Sequence, residues 1–388
     1  METILLTGST GILGREILYQ LLKEMMSGKA MHLLLPVRSL PDKSALDRLL
    51  EVLNAPDKPH YLSAYPSEQF LTGIEVIDTD LAVHDPHAIS QIKKYKNIYL
   101  IHNASNTNLY YDNKALLEVY ENNYLATLRL LEQLTGHIRK FIFISTAYCT
   151  GLLKGLVKNE YHDFDEAGRL YPMGLHKQQR NHYEYYKLLT EHEIIHYCNK
   201  KGISWQILRP SMIGGRLLDA PLYRIARYNV FYLMGICLYK WRMESPDQTS
   251  PHIRIFANPD MPLNIVPVDY LAAAIVHLRT DDDVTEANTV SSKGIPLHYG
   301  LSVLIHPWDI SFDITREIPT DPNHLETFFY SKIGAWMAEY LQLPVHEFDT
   351  SLLRQKIAHI PEPDMIASFA ALYDYAVKSE FGRVKNPV

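Results

Sequence analysis

Tyr183 and Lys187 stand four residues apart in a stretch that reads as helix from about Asn181, so both side chains leave one face. A phenol ordinarily titrates near ~10. An ammonium beside it favours the phenolate and brings the group toward working pH, which makes Tyr183 a usable proton donor and acceptor. Ser145 and Thr146 follow the apolar run Lys-Phe-Ile-Phe-Ile that begins at Lys140. A hydroxyl at the carboxyl end of a parallel strand lies in the crevice where open α/β sheets bind ligands. Either could hydrogen-bond a substrate carbonyl while a nicotinamide delivers hydride to its carbon. General acid help of this kind contributes about 10²–10⁴ in rate. A tyrosine–lysine pair at this spacing also arises by chance in a chain with 26 tyrosines. Its weight comes from order, because it follows a glycine-rich first turn and a Ser-Thr strand end. Tyr185 and Tyr186 have no lysine four residues on.

That first turn is Thr7-Gly8-Ser9-Thr10-Gly11-Ile12-Leu13-Gly14, between a short apolar strand (Ile4 to Leu6) and a helix over Arg15 to Glu24. Glycines at 8, 11 and 14 allow a tight turn, close approach of backbone N–H groups to a pyrophosphate, and side-by-side packing of helix and strand. The helix start adds unpaired N–H donors and a partial positive charge. Thr7, Gly8, Thr10, Gly11, Ile12, Leu13 and Gly14 are therefore assigned to a dinucleotide. Further strands are expected at His32 to Val37, Gly73 to Asp78, Asn97 to His102, Lys140 to Ser145 and Ser204 to Leu208, with a late one at Thr289 to Ser292. Arg38 closes the second strand, where NAD-selective sites place an acidic residue. A guanidinium there would hold a 2′-phosphate through charge-assisted hydrogen bonds, which favours NADP over NAD; a solvated loop charge is the plainer account. Asp80 could bond the adenine amino group, or Asp80 or Asp85 could cap a helix. Small residues at Asn103-Ala104-Ser105 would let the backbone lie against the cofactor. In the expected helix Ala115 to Leu134, a buried Asn122 or Asn123 would more often pin two backbone segments than do chemistry.

Length and composition fit this frame. A chain of 388 residues, 47 % hydrophobic and 21 % charged, suits one large α/β domain with an elaborated second lobe. The net charge of −6 offers no footprint for nucleic acid. Cys149, Cys198 and Cys237 form no disulfide framework and fit a reducing compartment. Glu2 stands where a signal peptide would carry positive charge, and the run Val230 to Tyr239 is far short of a membrane span, so a cytoplasmic setting is expected. From Gly151 to Gln179 the chain reads as a wet loop. After Gly215 the alternation of strand and helix stops. The expected organisation is a Rossmann-type doubly wound parallel sheet over 1–215 with a return segment at about 263–295. A smaller, mostly helical substrate lobe covers 216–262 and 296–388, with Leu325 to Leu341 and Met365 to Val377 its clearest helices. Phe231, Tyr232, Met234, Leu238, Tyr239 and Trp241 could line an acyl tunnel, or simply pack that lobe. Arg224, Arg227 and Arg242 could meet an acidic carrier or CoA phosphates, though surface solvation explains each as well.

These pieces together resemble the extended short-chain dehydrogenase/reductase superfamily. The resemblance is carried by Thr7 to Gly14, Asp80-Leu81, His102-Asn103-Ala104, Asn123 before Thr127, Phe141 to Gly151, Tyr183-xxx-Lys187 and Leu208-Arg209-Pro210-Ser211. Ile144 to Tyr148 and Val266-Pro267-Val268-Asp269-Tyr270 look most like the thioester reductase and fatty acyl-CoA reductase branch. The resemblance implies NADPH-dependent reduction of an acyl-CoA or acyl-carrier-protein thioester to an aldehyde or onward to an alcohol. It implies Thr146, Tyr183 and Lys187 as the triad, with Lys187 also on the nicotinamide ribose. Cofactor contacts carried over are Arg38 and Arg48 for the 2′-phosphate, Asp80, Leu81, Asn103, Ala104, Ser105, Asn123 and Ser145, with Pro210 and Ser211 near the nicotinamide. Nucleotide-sugar epimerases or dehydratases and hydroxysteroid- or flavonol-type dehydrogenases share the same triad, and a cofactor sensor could keep the fold without the chemistry. One competing motif, His192-Glu193-Ile194-Ile195-His196, fits the zinc-protease pattern, yet Asn199 and Gly202 stand where a metzincin continuation would have Gly and His. No metal is expected.

Overall fold

The computed structural model describes residues 1–160 and 179–384. Seven strands form one sheet: β1 (Glu2–Thr7), β2 (Met31–Val37), β3 (Ile74–Asp78), β4 (Ile98–His102), β5 (Ile138–Ile144), β6 (Ser204–Pro210) and β7 (Glu286–Thr289). Their spatial order is β3-β2-β1-β4-β5-β6-β7, and every neighbouring pair is parallel. Buried on both faces, these strands carry near-continuous apolar runs rather than alternation. The fold is thus a Rossmann-type α/β sheet, with its strand order reversing between β1 and β4. One apolar core lies under helix Ile12–Met26, helix Ala45–Leu53 and helix Val268–Leu278; the other packs Ile194, Ile195, Leu130 and Leu131 against Phe141 and Phe143.

Three elements differ from the sequence pattern, one of them the expected helix over Leu325 to Leu341, which a π-helical turn at Tyr330–Gly334 divides into α-helices His324–Phe329 and Ala335–Leu341. The late strand lies at Glu286–Thr289, meeting the expected span only at Thr289. Its polar side chains are buried: Glu286 pairs with Arg209 and the Asn288 amide donates to the carbonyls of Val157 and Lys158. The expected helix over Ala115 to Leu134 is broken by a π-helical turn, Tyr120–Leu125, between α-helices Asn113–Val119 and Ala126–Gln133. The expected loop from Gly151 to Gln179 lies outside the described residues at 161–178. Its opening part, Gly155–Val157, pairs in parallel with His346–Phe348.

Beyond the sheet, helices Tyr232–Glu244, Leu297–Ile305, His324–Phe329 and Met365–Lys378 surround a separate apolar core. Phe231, Tyr232, Met234, Leu238 and Trp241 are buried within it and the partly buried Tyr239 packs against it, so packing accounts for that cluster. Residues Leu353 and Ile357, by contrast, pack with the core of the large sheet. The two bodies are fastened by buried charge. Arg216, from the chain leaving the sheet, donates to both carboxylate oxygens of Glu16 at 2.9 and 2.6 Å, and both side chains are almost fully enclosed. Asp269 accepts the backbone N–H groups of Leu217, Leu218 and Asp219, fixing the same crossing. Arg216→Ala strands the Glu16 carboxylate in the core, and a loss of about 3–5 kcal/mol is expected in urea unfolding.

Candidate active site

The glycine-rich turn shows why those residues recur. Gly8 has φ +69°, a left-handed conformation costly for a side chain, and a Cβ there would sit 3.0 Å from the Ala104 backbone. A Cβ on Gly14 would fall 1.9 Å from the Gly8 carbonyl oxygen, so strand and helix can approach only because none is present. Helix Ile12–Met26 begins at Gly11 with no capping side chain and no acidic residue in its first turn. Helices Ala45–Leu53, Asn113–Val119 and His182–Lys201 begin instead on Ser44, Asp112 and Asn181, which cap them. The first helix therefore keeps its N–H donors and positive dipole end for an anion. Ser9, buried in the same turn, has a hydroxyl without a protein partner. An orphaned donor beside an uncapped helix start fits a dinucleotide pyrophosphate.

Hydrogen-bond accounting fixes the adjoining strand ends. Thr7 Oγ1 accepts the N–H groups of Asn103 and Ala104, both at 3.0 Å, so its own proton goes to His102 Nδ1, also at 3.0 Å. Nε2 of His102 must then carry the ring proton and donate to Thr127 Oγ1 at 2.8 Å, and Thr127 donates in turn to the Asn123 carbonyl. The Asn123 amide closes the ring by accepting the Asn106 N–H at 2.7 Å and donating to the Asn106 carbonyl at 2.8 Å. Asn123 thus pins the 103–106 loop, and its amide is occupied there rather than turned to a cofactor. The π-turn aims it: one extra residue in the helix rotates Asn123 onto the loop.

At the end of β2, Arg38, Arg48, Thr10 and Asp80 come together. Arg38 donates to Asp80 at 3.0 Å and stays mostly exposed; Arg48 donates to Thr10 Oγ1 at 3.3 Å and to the Arg38 carbonyl. Asp80 also accepts the Ala82 N–H, whereas the helix cap that either aspartate could have supplied belongs to Asp85. Leu81 packs its side chain against the core beneath β3. Ser39, absent from the sequence reading, locks this corner by donating to Asp78 at 2.6 Å and accepting the Ala45 N–H.

At the end of β5, Lys187 is buried and donates to the Ile144 carbonyl at 2.8 Å. Its ammonium lies 4.6 Å from the Phe143 ring centre and 5.9 Å from that of Tyr183. The Ser105 hydroxyl lies beside the Tyr183 phenol. Thr146, two residues beyond Ile144, is extended and accepts the Tyr148 N–H at 3.3 Å. Ser145 donates its N–H to Leu208 and its hydroxyl toward Cys149 Sγ, tying β5 to β6. Pro210 ends β6, and the Ser211 hydroxyl donates to Asn264 at 2.7 Å. The electrostatics correct one expectation. Burial, then Cys149 and Glu184, push the Tyr183 phenol above its ordinary value, with Ser105 opposing, so the phenol keeps its proton at neutral pH. Burial lowers the Lys187 ammonium to about 8, opposed by Glu191 and Cys149. Arg180, forked on Glu184 and lying 4.7 Å from the Tyr340 ring centre, joins the second lobe to the start of the Tyr183 helix. Nothing local in the sequence marks that contact. Among the described residues no three His, Cys, Asp or Glu side chains gather as a metal group, and His196 is exposed.

A Rossmann sheet with an uncapped glycine-turn helix and a Tyr-xxx-Lys helix beside it defines a nicotinamide-dependent short-chain dehydrogenase/reductase. Residues 6–275 match the NAD-binding family model described as male sterility protein, and the chain belongs to that family of extended short-chain dehydrogenase/reductase enzymes. Comparison with curated proteins finds no match. Among solved structures, the terminal R domain of the myxalamid PKS-NRPS pathway is similar at 18 % identity and TM-score 0.69, covering 100 % of this chain and 93 % of that one. A thiolation-reductase di-domain of an archaeal non-ribosomal peptide synthetase is similar at 17 % and 0.64, covering 99 % and 91 %. UDP-glucuronic acid 4-epimerase from Bacillus cereus, in complex with NAD, is similar at 18 % and 0.61, covering 98 % of each. These likenesses describe the fold.

The buried imidazole gives a pH test. Burial, then the Lys187 charge, lowers His102 to about 3, whereas an unfolded chain's histidine protonates near ~6.5. Above that pH neither state binds the proton. As pH falls through the window between, only the unfolded chain gains it, so stability falls by on the order of a few kcal/mol and levels off below about 3. Urea unfolding across this range is expected to show that slope in the native protein and a shallower one in His102→Gln.

Proposed function

We propose that this enzyme reduces acyl thioesters, carried on CoA or an acyl carrier protein, with NADPH as the reductant. What carries the reading is the pairing of a neutral Tyr183 phenol and a buried Lys187 ammonium with the two-arginine corner at Arg38 and Arg48. The corner favours a 2′-phosphate, because Arg38 presents a guanidinium where an NAD site presents a carboxylate, and Asp80 holds it without covering it. Thr7 to Gly14 would hold the pyrophosphate, Asn103, Ala104 and Ser105 would line the path to the nicotinamide, and Lys187 would donate to the adjacent ribose. Bound NADPH supplies hydride.

The residues then do three things. Thr146 donates a hydrogen bond to the substrate carbonyl and fixes its plane. Tyr183 gives its proton to that oxygen as the carbon is reduced, and Lys187 stabilises the phenolate left behind. The thiol departs as the C–O double bond re-forms, leaving aldehyde; a second reduction gives alcohol. The reductase domains among the structural neighbours support a thioester over other carbonyls. No helix among the described residues is long and apolar enough to cross a membrane.

The epimerase likeness supports a second reading, a nucleotide-sugar epimerase on the same triad. Such an enzyme holds NAD tightly and shows no net cofactor turnover, so an absorbance scan of freshly purified protein separates the two. NADPH oxidation with a panel of acyl-CoA and acyl-pantetheine thioesters tests the first reading directly, and no oxidation with any member overturns it. Tyr183→Phe is expected to lower kcat by about 10²–10⁴ with NADPH affinity nearly unchanged. Arg38→Ala is expected to weaken NADPH binding about tenfold or more and leave NADH almost untouched, read by cofactor fluorescence titration. Equal losses for both cofactors would remove the case for NADP.

A further inference from the structure

The second lobe touches the start of the Tyr183 helix through Tyr340. Helix Ala335–Leu341 buries Met337 and Leu341 in that lobe's core, while Tyr340, on the same helix, meets the cap of helix His182–Lys201. That cap is Asn181, whose Oδ1 accepts the Glu184 N–H at 3.0 Å. Its Nδ2 donates to the Tyr340 hydroxyl at 2.7 Å. One carboxamide is therefore bonded at both ends, once inside the helix and once to the second lobe, and Tyr183 follows two residues later.

The Tyr340 ring covers a second joint. The Arg180 guanidinium carbon lies 4.7 Å from its centre and 5.6 Å from that of Tyr148, and the two rings meet edge-on at 5.7 Å. Arg180 donates to both carboxylate oxygens of Glu184 at 3.0 Å and to the Tyr148 carbonyl at 2.9 Å. Tyr148 in turn gives its N–H to Thr146 Oγ1. Arg180, Asn181 and Glu184 are almost fully enclosed. Tyr340 thus contacts both the cap ahead of Tyr183 and the cation that ties the Thr146 turn to the same helix.

We infer that Tyr340 is a positioning residue for the reaction proposed above: its hydroxyl holds the Asn181 cap, its ring covers Arg180, and the two contacts set the Tyr183 phenol against the Thr146 hydroxyl. Its meaning for turnover rests on that reading. A cap bonded only within its own helix moves with that helix. A cap bonded also to a second body fixes where the helix begins, and Tyr183 lies within the first turn. Displacing a reacting group by about 1 Å can cost on the order of 10²-fold in rate.

The test cuts the tether from each side. Tyr340→Phe keeps the ring over Arg180 and loses the hydroxyl, whereas Asn181→Ser keeps a cap of similar quality and loses the amide donor. Each is expected to lower kcat for thioester reduction by about 10–10²-fold with NADPH affinity nearly unchanged, and the double variant to be no worse than either single one. An unchanged kcat in both single variants, losses that multiply in the double variant, or a parallel loss of NADPH affinity overturns the inference. A second readout needs no substrate. In full-length protein labelled with ¹³Cζ-tyrosine, the Tyr183 signal is assigned by its loss in Tyr183→Phe. It is expected to move in both single variants and to reach the same place in the double one, while the signal of Tyr270 in helix Val268–Leu278 stays put. A Tyr183 signal that does not move overturns the inference even in an active enzyme. If that signal moves as expected and no thioester is reduced, the proposed function fails and the tether stands.

Discussion

The site depends on a chain of hydrogen bonds that can run in only one direction. Thr7 takes two backbone N–H groups and must give its proton to His102, which must give its own to Thr127, which gives to Asn123. Because every member has a single satisfied role, the carboxyl ends of β1 and β4 cannot slide or rotate past one another without stranding a buried polar atom. The sheet reverses its order at this point, so the ring pins the crevice where a ligand would lie. It holds the 103–106 loop at both ends and so places Ser105 against Tyr183. A neutral imidazole is required throughout. Protonated, His102 would turn a second N–H toward Thr7, whose lone pairs are already taken.

Buried arginines do the comparable work between elements. Arg216 on Glu16, Arg209 on Glu191 and Arg180 on Glu184 each fork onto a carboxylate that water does not reach. Each joins elements remote in the chain or at its turns: the crossing to the first helix, β6 to the Tyr183 helix, and the approach to that helix to its first turn. Such pairs add little net stability compared with apolar packing of the same volume, but breaking one leaves a charge without a partner. Their effect is on geometry. The planar guanidinium accepts few arrangements on a carboxylate, so each pair sets a distance and an angle that apolar contacts would leave loose.

Much of this was legible in the sequence, because the sheet's strands are buried on both faces and announce themselves as apolar runs. The glycine turn, the Tyr183–Lys187 spacing and the Arg38 position were equally plain, since each depends on one local rule. What stayed hidden involves partners distant in the chain. Glu286–Thr289 lacks an apolar pattern because its polar side chains meet Arg209 and the backbone near residue 158. His102 looked like part of a motif, with no sign that its two nitrogens join strands to a helix. The π-turn at Tyr120–Leu125 has no period that a helical pattern would reveal. The aromatic run after Val230 could read as tunnel or core, and only the helices from residues 297–378 packed around it decide for core.

The protonation state of Tyr183 is where spacing and structure diverge most usefully. Four-residue spacing suggests a phenol drawn toward phenolate by its lysine, the arrangement an oxidation needs in a general base. Enclosure works the other way here: with the ammonium 5.9 Å from the ring centre and itself drawn to the Ile144 carbonyl, loss of hydration dominates and the proton stays on oxygen. A reduction needs that proton at the outset and an ammonium nearby when it leaves. In the proposed reduction, the phenol would start with its proton and the Lys187 ammonium would compensate the oxygen it becomes. The same burial that holds the proton in place also lowers the Lys187 ammonium, so the two groups are shifted toward their neutral forms together.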